Sequence, residues 1–198
     1  STITDQLKMA QNYKSKTIAI ALKDRGSILP GGHTADGSYW YDSAEGYWIT
    51  SSFYAKELPT WVQKFNLEGR PQKYVSKGWN TMYPISTYTH SAEDNIASEG
   101  KLSGEKTPTF PHELKSGNAL EIIRSTPFGN SLTKDFALKA LEEEKLGKNG
   151  TTDFLAISFS STDYVGHTFG PQSIELEDTY LRLDQDIAEI LTKLDASL

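Results

Sequence analysis

An α/β layered fold is predicted by three features of this chain. Two apolar runs, Lys16-Thr-Ile-Ala-Ile-Ala-Leu22 and Asp153-Phe-Leu-Ala-Ile-Ser-Phe159, lack the alternation of half-exposed strands and read as strands buried on both faces of a parallel sheet. Segments of helical period precede both runs and follow the second. Polar clusters stand directly after both, where ligands of such folds collect outside the carboxyl ends of the strands.

Residues 4–13 read as a short helix with Asp5 in its first turn and Leu7 and Ala10 on one face. The first strand ends at Lys23-Asp24-Arg25-Gly26, and a loop is predicted onward through Pro30-Gly-Gly-His33 to Gly37. Between Tyr39 and Phe53 the pattern is aromatic and short in period, with residues 47–50 the best strand or hairpin arm. Residues 58–65 read as a helix with Pro59 near its first turn. From 66 to 130 Gly, Pro, Ser, Thr and Asn dominate and no period is sustained. Short helices and strands must be hidden there, because a structureless stretch of that length is foreign to a compact domain. Helices at 133–146, stopped by Gly147, and at 174–194, with Glu175, Glu177 and Asp178 at the favourable end of its dipole, flank the second strand. The expected organisation is an α/β core built from 1–53 and 131–198, with 54–130 inserted as a cap.

Composition narrows the function. The 198 residues are 37% hydrophobic, enough to bury a core and too many for a disordered chain. A net charge of −6 without any cluster of Lys or Arg argues against nucleic acid as a partner. There are no cysteines, which removes disulfides, thiolate nucleophiles and thiolate metal sites and leaves histidines and carboxylates as the strong metal ligands. No run approaches the roughly 18 apolar residues of a membrane span.

Two clusters carry chemistry. In Asp163-Tyr-Val-Gly-His167 a carboxylate and an imidazole stand four residues apart after a strand, and a turn through Gly166 is expected to bring both onto one metal ion. Spacing alone more often describes a cap or a satisfied surface pair. In Lys23-Asp24-Arg25 the extended chain is expected to point both cations the same way, toward one anion. Arginine offers a planar fork for phosphate oxygens and lysine a compact charge, which suits a phosphoryl transition state; a solvated strand end is the plain alternative. His33, His90 and His112 read as loop-packing or surface histidines, and residues 118–130 have no assignable chemistry.

The stretch Ser158-Phe-Ser-Ser-Thr-Asp-Tyr-Val-Gly-His-Thr-Phe-Gly-Pro171 resembles the metal-binding segment of the type I phosphodiesterase and nucleotide pyrophosphatase branch of the alkaline phosphatase superfamily. Within that branch Ala21-Leu-Lys-Asp-Arg-Gly-Ser-Ile-Leu-Pro-Gly-Gly-His33, Thr126-Pro-Phe-Gly-Asn130 and Tyr180-Leu-Arg-Leu-Asp184 are similar to the flavobacterial-type alkaline phosphatases. The resemblance implies an alkaline-phosphatase-like layered sheet, with Asp163 and His167 on the first of two zinc ions and Lys23 and Arg25 on the transferred phosphoryl group. It further implies a phosphate ester substrate, a zinc-activated Thr or Ser nucleophile, a covalent phospho-enzyme and export to the periplasm.

The family's nucleophile, one zinc aspartate, an Asp-His pair and a last histidine ligand find no place in this sequence. The chain is therefore expected to be an incomplete internal portion of a phosphomonoesterase, inactive alone, with an incomplete first zinc site. Phosphodiesterase or nucleotide pyrophosphatase is the alternative within the enzymes, and a non-catalytic binding module the alternative outside them.

Overall fold

Strand β1 (Thr17–Ala21) is buried along its whole length, as its unbroken apolar run requires. The computed structural model describes residues 1–114 and 118–197; residues 115–117 of the expected cap and residue 198 of the expected core lie outside the described residues. In chain order the elements are α1 (Ile3–Ala10), β1, α2 (Asp24–Gly31), β2 (Gly37–Asp42), β3 (Tyr47–Ile49), α3 (Thr60–Asn66), α4 (Arg70–Val75), α5 (Ala119–Ile122), α6 (Phe128–Glu143), β4 (Phe154–Ser158), α7 (Ser161–Phe169) and α8 (Ile174–Ser197). They fall into two compact units: Ser1–Glu68, Thr133–Phe159 and Ile190–Leu198 in the first, Gly69–Leu132 and Ser160–Glu189 in the second.

The first unit holds the sheet, four strands in the order β3-β2-β1-β4. β1 runs parallel to β2, with Ala21 beside Trp40, and parallel to β4, with Ala21 beside Ser158; β3 returns antiparallel on β2. The expected α/β class is the observed one. β4 departs from expectation in being only partly buried at all five residues, because it is the sheet's edge among the described residues.

The two faces of the sheet differ in side-chain size, and this decides what packs on each. Ala19, Ala21, Ser38 and Ser158 present one small-residue face, and α2 lies against it. A Cβ at Gly26 would stand 2.9 Å from Ala21 Cβ and 3.2 Å from Ser158 Oγ; one at Gly31 would stand 3.2 Å from Ala19 Cβ. Ser27 donates from Oγ to the Ala19 carbonyl at 2.8 Å and meets Ser38 Oγ at 2.7 Å. The sequence predicts a loop here, since glycines and Pro30 are poor helix formers; contact with the sheet overrides that propensity. Neighbouring residues of a strand face opposite ways, so Tyr39 lies on the far side, where α3 and α6 pack. There Phe136 stacks on Trp48 at 4.3 Å and meets Trp61, Phe65 and Tyr39 at 5.1, 5.1 and 5.5 Å.

Among the described residues the second unit has no strand in a sheet; its order comes from a polar spine on α8. Asp178, fully buried, accepts from Trp79 Nε1 (2.7 Å), the Met82 amide (2.7 Å), the Tyr88 hydroxyl (2.5 Å) and Arg182 Nε (2.6 Å). Burial first, and the bond to Asp178 after it, push the Tyr88 hydroxyl up to about 12. One turn earlier, Glu175 meets buried His112, whose backbone bridges Trp79. The segment without sustained period is thus pinned by side chains reaching one helix.

Gly26→Ala is expected to lower the unfolding free energy by about 1–3 kcal/mol, because Cβ and Oγ atoms close to the backbone leave the added methyl no room. Urea titration of the two proteins measures it.

Candidate active site

The sheet delivers Lys23 and Arg25 directly after β1. Lys23 is the N-cap of α2, still extended at φ −99° and ψ 135°, while Arg25 already belongs to the first turn of the helix. The expectation that strand alternation aligns the two side chains is therefore corrected. Successive residues turn by about 100° once the helix begins, so strand alternation does not set the two directions. What the structure supplies instead is the positive end of α2's dipole beneath both cations, an arrangement that favours anions. Lys23 is partly buried and Arg25 exposed; Asp24 turns its carboxylate onto the Arg25 amide at 2.7 Å.

In the second unit the segment read as a turn through Gly166 is instead the helix α7. Residues four apart lie on one helical face, and Asp163 Oδ1 and His167 Nε2 stand 3.3 Å apart. Two ligands about 2.0–2.1 Å from a tetrahedral zinc stand about 3.3 Å from each other. The same separation serves a surface ion pair. The side chains are 53% and 81% exposed, so a metal can reach them from solvent. Among the described residues no group of three or more His, Cys, Asp or Glu converges to hold a metal ion. Neither a turn nor crowding requires glycine at 166, since a Cβ there would make only an ordinary contact with Leu176, at 3.8 Å.

The start of α7 is fixed by a residue that sequence spacing does not reveal. Ser160, at the N-cap position, makes no side-chain cap bond. Asn130 replaces it, accepting from the Ser161 amide at 3.1 Å and donating from Nδ2 to Thr162 Oγ1 at 3.1 Å. The Thr126–Asn130 stretch thus serves to orient the helix that carries Asp163 and His167.

The remaining histidines divide. His33 is exposed, with Nδ1 3.5 Å from Asp5. His112 is buried, its ring packed against Phe169 at the end of α7 with centroids 5.3 Å apart. Its Nδ1 meets Glu105 Oε2 at 2.9 Å and its Nε2 meets Glu175 Oε1 at 3.1 Å. Burial alone would lower the imidazole pKa, but the bonds to Glu175 and Glu105 outweigh it and the net shift is upward.

Known proteins resemble this chain along almost its whole length. Residues 3–197 match the family model described as type I phosphodiesterase / nucleotide pyrophosphatase. A protein named calcium-transporting ATPase from Myroides odoratus is 56% identical over the whole chain and 37% of its own length. The alkaline phosphatase PhoV of Synechococcus elongatus is 53% identical, again over the whole chain and 36% of its own length. The alkaline phosphatase PafA of Elizabethkingia meningoseptica is 50% identical over 98% of the chain and 36% of its own length. A crystal structure of PafA superposes with a TM-score of 0.95, covering 99% of this chain and 38% of that one. A second structure, of a PafA variant, matches with a TM-score of 0.96, 49% identity and coverage of 98% of this chain and 38% of that one. That variant's four substitutions include a lysine and an arginine, two positions apart, both changed to alanine. The chain spans a little over a third of the length of the relatives it matches.

His112 is expected to make the stability of the second unit depend on pH. Its pKa in the folded protein is raised above the unfolded value near 6.5, so its stabilising contribution is complete below that value and is lost as pH rises through the folded pKa. Glu105, Glu175, Asp94 and Glu99 are the acids that act on it. As pH rises from below about 6.5 through the raised pKa of His112, the wild-type unfolding free energy is expected to fall, and His112→Gln to flatten that slope. Parallel slopes in the two proteins would contradict the assignment.

Proposed function

This chain belongs to the type I phosphodiesterase / nucleotide pyrophosphatase family, and we propose that the protein carrying it is a zinc-dependent phosphomonoesterase. The observation that carries the proposal is the Asp163–His167 pair, spaced on α7 as two ligands of one tetrahedral ion would be. The donor set fits zinc in type, one carboxylate oxygen and one imidazole nitrogen, and falls short in number. Because the relatives extend well beyond the matched segment, we assign the remaining ligands and the hydroxyl nucleophile to parts of the protein outside this chain. Zinc, when bound, supplies Lewis-acid polarisation and a lowered pKa for the group it holds.

Lys23 and Arg25 hold the non-bridging oxygens of the phosphoryl group, with the amide end of α2 behind them. Lys23-Asp24-Arg25 is the chain's sole Lys-x-Arg sequence. Its spacing is that of the lysine and arginine replaced together in the PafA variant, which supports the assignment. Fixed cations act most strongly where charge develops, so they favour the transition state over the ground state. A dianionic monoester presents one more charged oxygen than a diester, which is the reason for preferring monoesters. The phosphoryl group passes through a covalent phospho-enzyme on the hydroxyl nucleophile. Residues 54–130 act as the cap of the site, and the protein works in the periplasm or outside the cell. No described helix is long and apolar enough to cross a membrane.

In the full-length protein Arg25→Ala is expected to lower kcat/KM for an aryl phosphomonoester by roughly 10²–10³, the cost of losing one aligned donor. An aryl phosphodiester should lose less. Equal losses on the two substrates would remove the case for a monoesterase, and an unchanged monoester rate would remove Arg25 from the site.

A further inference from the structure

The sequence contains a single Asn-Gly pair, Asn149-Gly150, and the structure puts it in an exposed turn of the first unit, between α6 and β4. An asparagine followed by glycine is the place where a chain most readily attacks its own side chain, because glycine leaves the next backbone nitrogen unshielded. Gly150 sits at φ +74°, and a Cβ there would meet nothing within 4 Å, so the space beside this backbone is open.

The Asn149 side chain is held at both ends. Its Oδ1 accepts from the Thr151 amide at 2.9 Å and from Thr151 Oγ1 at 2.7 Å. Its Nδ2 donates to Asp153 Oδ1 at 3.0 Å and to the Lys14 carbonyl at 3.3 Å. The bond from the Thr151 amide closes a turn around Gly150 and folds the carboxamide back along the peptide that would attack it. Two donors on one carboxamide oxygen also polarise its C=O bond, and they meet the negative charge that develops there when a nucleophile adds to Cγ.

We infer that Asn149 is a site of spontaneous covalent modification, where the chain converts its own carboxamide into aspartate and isoaspartate. The Gly150 nitrogen adds to Asn149 Cγ and an N–C bond forms; the Cγ–Nδ2 bond breaks, and the Gly150 amide proton leaves with Nδ2 as ammonia. Water then opens the resulting succinimide at either carbonyl. Thr151 supplies both donors to the oxygen on which charge builds up.

The change reaches the sheet through Asp153, which ties together the starts of β1 and β4. Asp153 Oδ1 accepts from the Lys16 amide at 2.6 Å and Oδ2 from the Gly147 amide at 2.8 Å, while the Phe154 amide donates to the Lys16 carbonyl at 2.8 Å. Burial alone would raise the Asp153 pKa, but the bonds from Lys16, Gly147 and Asn149 outweigh it and hold the carboxyl below the usual range. A carboxylate at position 149 replaces the donor that faces Asp153 with a second negative charge. The β1–β4 pairing is loosened at its start, and the turn becomes an ageing point of the first unit.

Incubating the full-length protein in mildly alkaline buffer, followed by peptide mapping and isoaspartate detection, tests this. Wild type is expected to accumulate aspartate and isoaspartate at position 149, while Asn130, buried with its amide oxygen and nitrogen both bonded, stays intact. Thr151→Val should slow the conversion roughly 3–10-fold, the worth of one hydrogen bond, and Thr151→Ser should restore it. Asn149→Asp should lower the thermal midpoint, and added salt should recover part of that loss. An Asn149 that stays unmodified, or an equal rate in Thr151→Val, overturns the site. An Asn149→Asp midpoint equal to that of wild type overturns its consequence for the sheet.

Discussion

The close seating of α2 on β1 is the constraint from which the positions of Lys23 and Arg25 in the first unit follow. Ala19, Ala21, Ser38 and Ser158 keep one sheet face low, and Gly26 and Gly31 let the helix backbone settle onto it. Ser27, bonded to the Ala19 carbonyl and to Ser38, locks the contact without a large side chain. The chain must then leave β1 and enter a helix within two residues, which puts Lys23 at the N-cap and Arg25 in the first turn. A bulkier face would lift α2 away and carry the cations with it. The opposite face spends its volume on aromatics gathered around Phe136, so the sheet is anchored on one side by bulk and on the other by closeness.

The second unit solves a different problem, since among its described residues no sheet is available to satisfy backbone groups. Asp178, Glu175 and Arg182 on successive turns of α8 take that part, gathering Trp79, Met82, Tyr88 and His112 from a segment of low regularity. Buried Asp178 is tolerated because both its oxygens have donors, whereas Glu175 Oε2, Glu105 Oε1 and Glu99 Oε1 have none. The same unit sets α7 through Asn130, and thereby the face on which Asp163 and His167 meet. Structural polar bonds and candidate chemistry are thus coupled through a single short helix.

Much of the fold was legible in the chain because its strands are long apolar runs and its helices carry regular stripes. β1, β4, α3 and α8 lie where their patterns place them, within a few residues. α2 was not legible, because Gly26, Pro30 and Gly31 argue against a helix locally and only contact with the sheet reverses that. β2 was obscured by its aromatic content, which Tyr39 and Tyr41 spend on packing. At the site, Asp163 and His167 were visible from spacing, but the helix between them was read as a turn because Gly166 suggested one. Asn130 left no local signal: it acts on α7 from more than thirty residues away in sequence, as the Asn130–Ser161 contact shows.

In the proposed chemistry a helix start would hold the phosphoryl group and a helix face the metal. The central claim is that Asp163 and His167 bind one zinc ion. Anomalous scattering from a crystal of the full-length protein at the zinc absorption edge tests it most directly. The account predicts a peak about 2.0–2.2 Å from an Asp163 carboxylate oxygen and from His167 Nε2, the nitrogen that already faces Asp163. Zinc bound elsewhere in the protein, with Asp163 and His167 paired only to each other, would contradict it.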